Sequence, residues 1–287
     1  MEINRKKQLK NTLTFEKVRS QEMLKKIKEK VQEITSYQPR VGVFGVTGVG
    51  KSSLCNALFG KDVAKVSDVA SCTREPQNLF IGEKDRGITL IDVPGVGENQ
   101  ERDKEYFELY KKLTLELDLV IWVMKADDRA FSIPKQAYKE ILKNHLEQCP
   151  VIFVINQVDK LSPMREWDDR NNKPGEKQQR GINEKIIVVS SEFDTSTNYI
   201  VPISVEEKYN LEILMEKIVH VVPKEKKYSL YREAESSIRT EKMEQEAEKG
   251  LWDTIKEFCG DVWDKVKEPV TSILLNVGLK WFNKLFR

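Results

Sequence analysis

The stretch Gly45-Val46-Thr47-Gly48-Val49-Gly50-Lys51-Ser52-Ser53 constrains this chain more than any other. It reads G-x-x-x-x-G-K-S, the pattern of a phosphate-binding loop. A short, mostly apolar run from Arg40 to Phe44 precedes it. Ser53 to Phe59 follows with apolar residues at helical spacing. Strand, glycine loop and helix are the context in which this pattern binds phosphate. The glycines let backbone N–H groups close around phosphate oxygens in dihedrals that a side chain forbids. The helix that starts near Lys51 points its positive end at the same oxygens. Every residue from Gly45 to Ser53 is therefore an expected nucleotide contact. Lys51 is expected to reach the β- and γ-phosphates, and Ser52 to ligate Mg²⁺.

Two further motifs follow in chain order. Gly87 to Asp92 reads as a hydrophobic strand that runs into Asp92-Val93-Pro94-Gly95. In this D-x-P-G, Asp92 is expected to hold Mg²⁺ through water, and the Gly95 amide to meet the γ-phosphate. Val151 to Ile155 reads as a buried strand entering Asn156-Gln157-Val158-Asp159. This is N-Q-x-D where the guanine-specificity motif is N-K-x-D. Asp159 is expected to accept two hydrogen bonds from guanine N1 and N2, a donor pair that adenine lacks. Asn156 is expected to brace the phosphate loop. Gln157 stands in place of the lysine whose stem lies along the base. Between these motifs, the polar stretch Lys61 to Glu75 contains Thr73, the expected Mg²⁺-ligating and γ-phosphate-sensing threonine, with Ser67 and Ser71 as competing hydroxyls. Ser204-Val205 is the preferred loop for backbone contacts to the base, because an amphipathic helix from Asn210 to Ile218 follows it. Ser190-Ser191 competes. Asp127, Asp128 and Arg129 follow the strand ending at Met124, and read either as neighbours of the site or as a solvated turn.

Composition narrows the remaining choices. At 287 residues the chain can hold one α/β domain with appendages. A formal net charge of +2 gives no global case for nucleic acid, and no local signal specifies one. Cys55, Cys72, Cys149 and Cys259 form no C-x-x-C pair. They read as free thiols in a reducing compartment, hence the cytoplasm. The start, Met1 to Lys7, is not followed by an apolar core and reads as no signal peptide. No run is long and apolar enough to span a bilayer.

The organisation expected is a helical extension over 1–38, a nucleotide domain over 39–223 and a C-terminal helical region over 224–287. Helical patterning runs from about Thr14 to Tyr37. The charged stretch Lys224 to Gly250 reads as an exposed helical arm. In the tail, Leu251 to Val266 carries an apolar stripe, Pro269 is expected to break or kink the helix, and Val270 to Leu285 continues the stripe with only basic charges opposite. This tail reads either as packed on the N-terminal helix or, over 270–287, as a peripheral membrane contact.

The phosphate loop, the threonine, D-x-P-G and N-Q-x-D, in that order, resemble the Era-like/septin-like branch of P-loop GTPases. The nearest likeness is to stand-alone bacterial GTPases of the YeeP/YfjP type. It is carried by Gly48 to Leu58, Val69 to Arg74, Asp92 to Glu98 and Lys125 to Ala130. The resemblance implies a three-layer αβα fold with a mostly parallel sheet and added helices at both ends. It implies Mg²⁺-dependent GTP binding, a GTP/GDP switch and catalytic roles for Lys51, Thr73 and Gly95. It also implies pairing across the nucleotide face, as a homodimer or other self-association. Arg74, Arg102 and Arg129 are then the candidates for an arginine supplied in trans. Val96 stands where many GTPases carry a water-orienting glutamine, so slow intrinsic hydrolysis is expected. The competing reading is a GTP-holding scaffold or membrane-associated interaction protein. Asp159 argues against a third reading, an ATP-using kinase.

Overall fold

The computed structural model describes residues 21–46, 48–60, 77–83, 86–92, 108, 111–129, 131–143, 146 and 149–276. Its centre is a six-stranded sheet in the order β2-β3-β1-β4-β5-β6. The strands are β1 (Arg40–Phe44), β2 (Gln77–Glu83), β3 (Arg86–Asp92), β4 (Leu119–Lys125), β5 (Val151–Asn156) and β6 (Ile200–Pro202). Only β2 runs antiparallel, as a hairpin with β3. The other neighbours pair in parallel. Strand order reverses beside β1, which opens the crevice at the carboxyl ends where ligands bind in such sheets.

Both faces of the sheet are covered, so the central strands read as continuous apolar runs. Their alternation still sorts the side chains. Val41 and Val43, Leu119, Ile121 and Val123, and Ile152 and Val154 face one layer. Phe44, Val120, Trp122, Met124, Phe153 and Ile155 face the other. Residues 21–36 form helix α1. The first sheet layer contains α2 (Lys51–Phe59) and, later in the chain, α5 (Leu211–Val221). The opposite layer contains α3, which is α-helical over Ser132–Ala137 and a π-turn over Tyr138–Leu142, and α4 (Glu176–Phe193). Aromatic rings fill this second layer, with Phe153 and Phe193 centroids 4.7 Å apart and Trp122 against Phe44 at 5.7 Å.

The segment expected to be an exposed arm is packed instead. It forms α6 (Lys224–Glu233) and the first half of α7 (Glu241–Cys259). Leu230, Ala234, Ile238, Met243 and Ala247 are buried with the nucleotide-domain core. These apolar positions are widely spaced among charges, which is why the segment reads as polar in sequence. The chain then turns at Gly260, whose φ of 51° lies in the left-handed region that favours glycine. Trp252 and Trp263 meet edge to face across the turn at 4.8 Å. Helix α8 (Trp263–Asn276) follows and carries Pro269 within it, so the break lies at Gly260 rather than at the proline.

A third apolar cluster joins Ile27, Val31 and Ile34 of α1 to Leu251, Ile255, Cys259, Trp263, Val266, Val270 and Leu274. As far as residue 276 the tail is therefore packed on the N-terminal helix. Val277, Trp281, Phe282 and Leu285 lie outside the described residues. Among the described residues no helix is long and apolar enough to cross a membrane.

Polar groups fasten this bundle to the amino-terminal end of the sheet. The C-terminal carbonyls of α1 have no partner within their own helix. Ile34 accepts from Ser229 Oγ at 2.9 Å, and Thr35 and Tyr37 accept from the Arg232 guanidinium. The Tyr37 hydroxyl donates to both oxygens of buried Asp118 at 2.9 Å, and the Arg40 N–H donates to the same carboxylate. Lys226 completes an ion pair with Asp118. Burial works to lower the Lys226 pKa, but its hydrogen bonds to Asp118 and Tyr37 outweigh that and raise it. Cys55, Cys149 and Cys259 are buried free thiols, and burial pushes Cys149 up to about 12, which keeps it from acting as a thiolate.

Burial in the third cluster predicts its energetics. Ile255→Ala should cost about 2–4 kcal/mol of unfolding free energy, as for other buried aliphatic truncations. Phe258→Ala, on the same helix but 42 % exposed, should cost about 0.5 kcal/mol or less. Urea unfolding of the two variants checks the contrast, and equal losses would contradict the packing.

Candidate functional site

The phosphate-loop residues sit where β1 meets α2. Gly45 takes a φ of 142°, and a Cβ there would stand 2.3 Å from the Val123 carbonyl oxygen of β4. Gly50, the residue before α2, has φ 92°, and a Cβ would stand 2.5 Å from Asn156 Nδ2. Both positions need glycine on conformation and on space, so the loop lies flat against two neighbouring strands. Lys51 donates to the Gly45 carbonyl at 2.9 Å and the Val46 carbonyl at 3.3 Å, which holds its ammonium over the loop. Ser52 and Ser53 are in the first turn of α2. Thr47 lies outside the described residues, as do Ser67, Ser71, Thr73, Arg74, Gly95, Val96 and Arg102. Asp92 ends β3 with its backbone in register with Val43, two residues ahead of Gly45.

Asn156 ends β5 and is buried. Its Nδ2 donates to the Val49 carbonyl at 2.9 Å, and its Oδ1 accepts from the Val205 N–H at 3.3 Å. One amide thus ties the phosphate loop to the Ser204-Val205 loop. Gln157 follows in the left-handed region at φ 63°, and Val158–Lys160 makes a single 3₁₀ turn. In that turn Asp159 Oδ1 is buried without a hydrogen-bond partner. The turn is held from behind by Gln178 of α4. Its buried Nε2 donates to the carbonyls of Asp159 at 3.1 Å and Leu161 at 3.0 Å. Gln178 was not among the sequence candidates; a polar residue inside a helix carries no signal until its partners are known.

The structure separates the two serine candidates. Ser204 is buried, its Oγ accepts from the Glu207 N–H at 3.1 Å, and its neighbour Val205 touches Asn156. Ser190 lies in α4 and its Oγ donates to the Thr195 carbonyl at 2.6 Å, capping its own helix end. Only Ser204-Val205 belongs to the constellation around Asn156. The stretch from Leu161 to Gly181 reads in sequence as a polar insertion; from Glu176 it is already helix α4, and the part before it lies beside this loop. Asn172 Nδ2 donates to the Glu207 carbonyl at 2.6 Å, and Trp167 packs edge to face on Tyr209 at 5.4 Å.

The turn after β4 also borders the site. The Ala126 N–H donates to the Asn156 carbonyl at 2.9 Å, and Asp128 Oδ2 accepts from the Lys125 N–H at 2.8 Å. Asp127 and Arg129 are exposed. Lys185 of α4 donates to the Asp128 carbonyl and stands 4.6 Å from the centre of the Phe131 ring. Burial lowers its pKa, against a smaller opposing pull from Asp128 and Asp127.

These residues fit a nucleotide. A glycine cradle meets a helix amino terminus, two loops converge through one amide, and a carboxylate oxygen is buried with nothing to accept. Comparison with known proteins agrees with this chemistry. Residues 40–157 match the family described as 50S ribosome-binding GTPase. YkfA of Escherichia coli K12 is 35% identical over 248 residues, spanning 86% of this chain and 84% of YkfA. YfjP of the same strain is 32% identical over 251 residues, 87% of this chain and 85% of YfjP. GTPase Era of Caldicellulosiruptor saccharolyticus is 30% identical over 193 residues, 66% of this chain and 57% of Era.

The double role of Asn156 predicts a structural cost without any ligand. Asn156→Ala leaves the Val49 carbonyl unpaired inside the protein and should lower stability by about 1–3 kcal/mol. Thermal or urea unfolding without nucleotide measures it. An unchanged midpoint would mean the tie contributes nothing to the fold.

Proposed function

The chain belongs to the P-loop GTPase family of YkfA and YfjP, and on that premise we propose that it is a Mg²⁺-dependent GTP/GDP switch that hydrolyses GTP and self-associates in the GTP state. The observation that carries the guanine reading is the unpartnered buried oxygen of Asp159, in the turn that follows Asn156. Guanine offers N1–H and N2–H side by side to a carboxylate. Adenine does not, and would leave the buried acceptor unpaired at a cost of about 1–3 kcal/mol. The loop Gly45 to Ser53 would hold the phosphates, with Lys51 exchanging its loop carbonyls for β/γ oxygens. Asn156, Gln157 and Asp159 on one side and Ser204-Val205 on the other would enclose the base. Ser52, Thr73 and, through water, Asp92 would hold Mg²⁺, which neutralises charge on the phosphates.

Hydrolysis needs a group that Val96 does not supply. In the proposal an arginine from a second copy supplies it, with Arg74, Arg102 and Arg129 as candidates and Gly95 holding the γ-phosphate. Two features support pairing across the nucleotide face. Arg129 is exposed on the turn after β4, beside the site. Among the described residues, the appended helices are fastened at Asp118 and Arg40, the opposite end of the sheet. A cytoplasmic location belongs to the same reading. A peripheral membrane contact would fall to 277–287, since Val270 and Leu274 are already buried.

Asp159→Asn swaps an acceptor for a donor, so the variant should prefer xanthosine to guanosine diphosphate. Equal binding of ATP and GTP by the wild type would defeat the guanine reading. Turnover per molecule should rise with protein concentration across the range in which a GTP analogue drives association. A measurable rate that stays flat over that range would place the missing group within one chain. Negligible turnover at every concentration would favour a GTP-holding scaffold.

A further inference from the structure

We propose that Lys125 replaces the lysine missing from the N-Q-x-D turn, reaching from β4 across the phosphate loop to support the guanine nucleoside. The proposal rests on the guanine-nucleotide reading above and names a residue that the motif pattern does not contain. A lysine in the second position of the motif contributes an ammonium near the loop and a four-carbon stem that lies along the base. Gln157 has a shorter stem and no charge.

Lys125 comes from a different strand but arrives at the same corner. It is the last residue of β4 and lies in register with Asn156 on β5. Its backbone is held by its own N–H to Asp128 Oδ2 at 2.8 Å, and by the Ala126 N–H to the Asn156 carbonyl at 2.9 Å. Its Nζ lies 4.0 Å from the point where a Cβ would stand on Gly48. Gly48 precedes Val49, the residue whose carbonyl Asn156 holds. The ammonium therefore stands beside the loop at Gly48, on a strand whose last residue pairs with Asn156.

Other nearby cations are committed elsewhere. Lys51 donates to the Gly45 and Val46 carbonyls, and Lys185 to the Asp128 carbonyl. Among the described residues Lys125 Nζ has no ion-pair partner, and the Oδ2 of neighbouring Asp128 is taken by the Lys125 backbone. A lysine stem at this corner offers a strip of methylenes to a flat base, while its head remains at the polar loop.

The test is a swap measured on the full chain with GDP and a non-hydrolysable GTP analogue. The variants are Lys125→Met, Gln157→Lys and the double variant, with urea midpoints recorded for each. Lys125→Met should weaken both nucleotides alike by about tenfold or more, the size of losing one charged hydrogen bond. Its urea midpoint should stay at the wild-type value. Adding Gln157→Lys should bring binding back to within about threefold of wild type, since it returns the cation and stem to the motif position. Unchanged GDP affinity in Lys125→Met would overturn the proposal. A loss confined to the triphosphate would assign the ammonium to the γ-phosphate and overturn it too, as would a loss that Gln157→Lys fails to restore. Wild-type GDP binding that Lys51→Ala abolishes shows that the guanine-nucleotide reading stands whatever Lys125 does. A wild type that binds no guanine nucleotide would defeat that reading, and this proposal with it.

Discussion

The architecture of the site depends on one buried amide. Asn156 donates to the Val49 carbonyl and accepts from the Val205 N–H, so a single side chain joins the loop after β1 to the loop after β6. Two loops that far apart in sequence would otherwise order independently, each at its own conformational cost. The tie also sets demands on its neighbours. Gly50 has to lack a side chain, because a Cβ would press on the amide at 2.5 Å. The alternation of β5 has to hold in register, since a slip of one residue would send Ile155 where Asn156 stands. Gln178 then fixes the Asp159 turn from the other side, so the acceptor is held by backbone contacts as well as by sequence position.

At the other end of the sheet a second polar junction holds the appendages. Asp118 is buried and receives Tyr37, the Arg40 N–H and Lys226. An unpaired carboxylate there would be costly, so the N-terminal helix, the sheet and α6 are obliged to come together. Ser229 and Arg232 add to this by satisfying the end of α1. The aliphatic cluster of α1, α7 and α8 then grows outward from that joint. The result is a helical bundle attached away from the phosphate loop, with the carboxyl ends of the strands left to the nucleotide site.

The strands and the site motifs were legible because their signals are local. Val151 to Ile155 is a continuous apolar run, and the G-x-x-x-x-G-K-S loop needs its glycines within a few residues of one another. The same locality explains the failures. Lys224 to Gly250 looks polar because its buried residues, Leu230, Met243 and Ala247 among them, are diluted by charge, and only the surface they meet reveals them as core. Pro269 looks like a helix break, yet the turn falls at Gly260, where a positive φ and the Trp252–Trp263 contact bend the chain.

What the sequence determined by itself was the class of sheet, the phosphate-loop motif and the N-x-x-D turn, because each depends on residue type at short spacing. What the tertiary structure decided was which distant residues share a site. In sequence, Ser204 is preferred to Ser190 only because an amphipathic helix follows it. They differ once β6 pairs with β5 and carries Val205 to Asn156, while α4 turns the Ser190 hydroxyl onto the Thr195 carbonyl just past the helix end. Gln178 and Lys125 entered for the same reason. Their chemistry is ordinary; helix packing brings Gln178 to the Asp159 turn, and parallel strand pairing sets Lys125 beside Asn156.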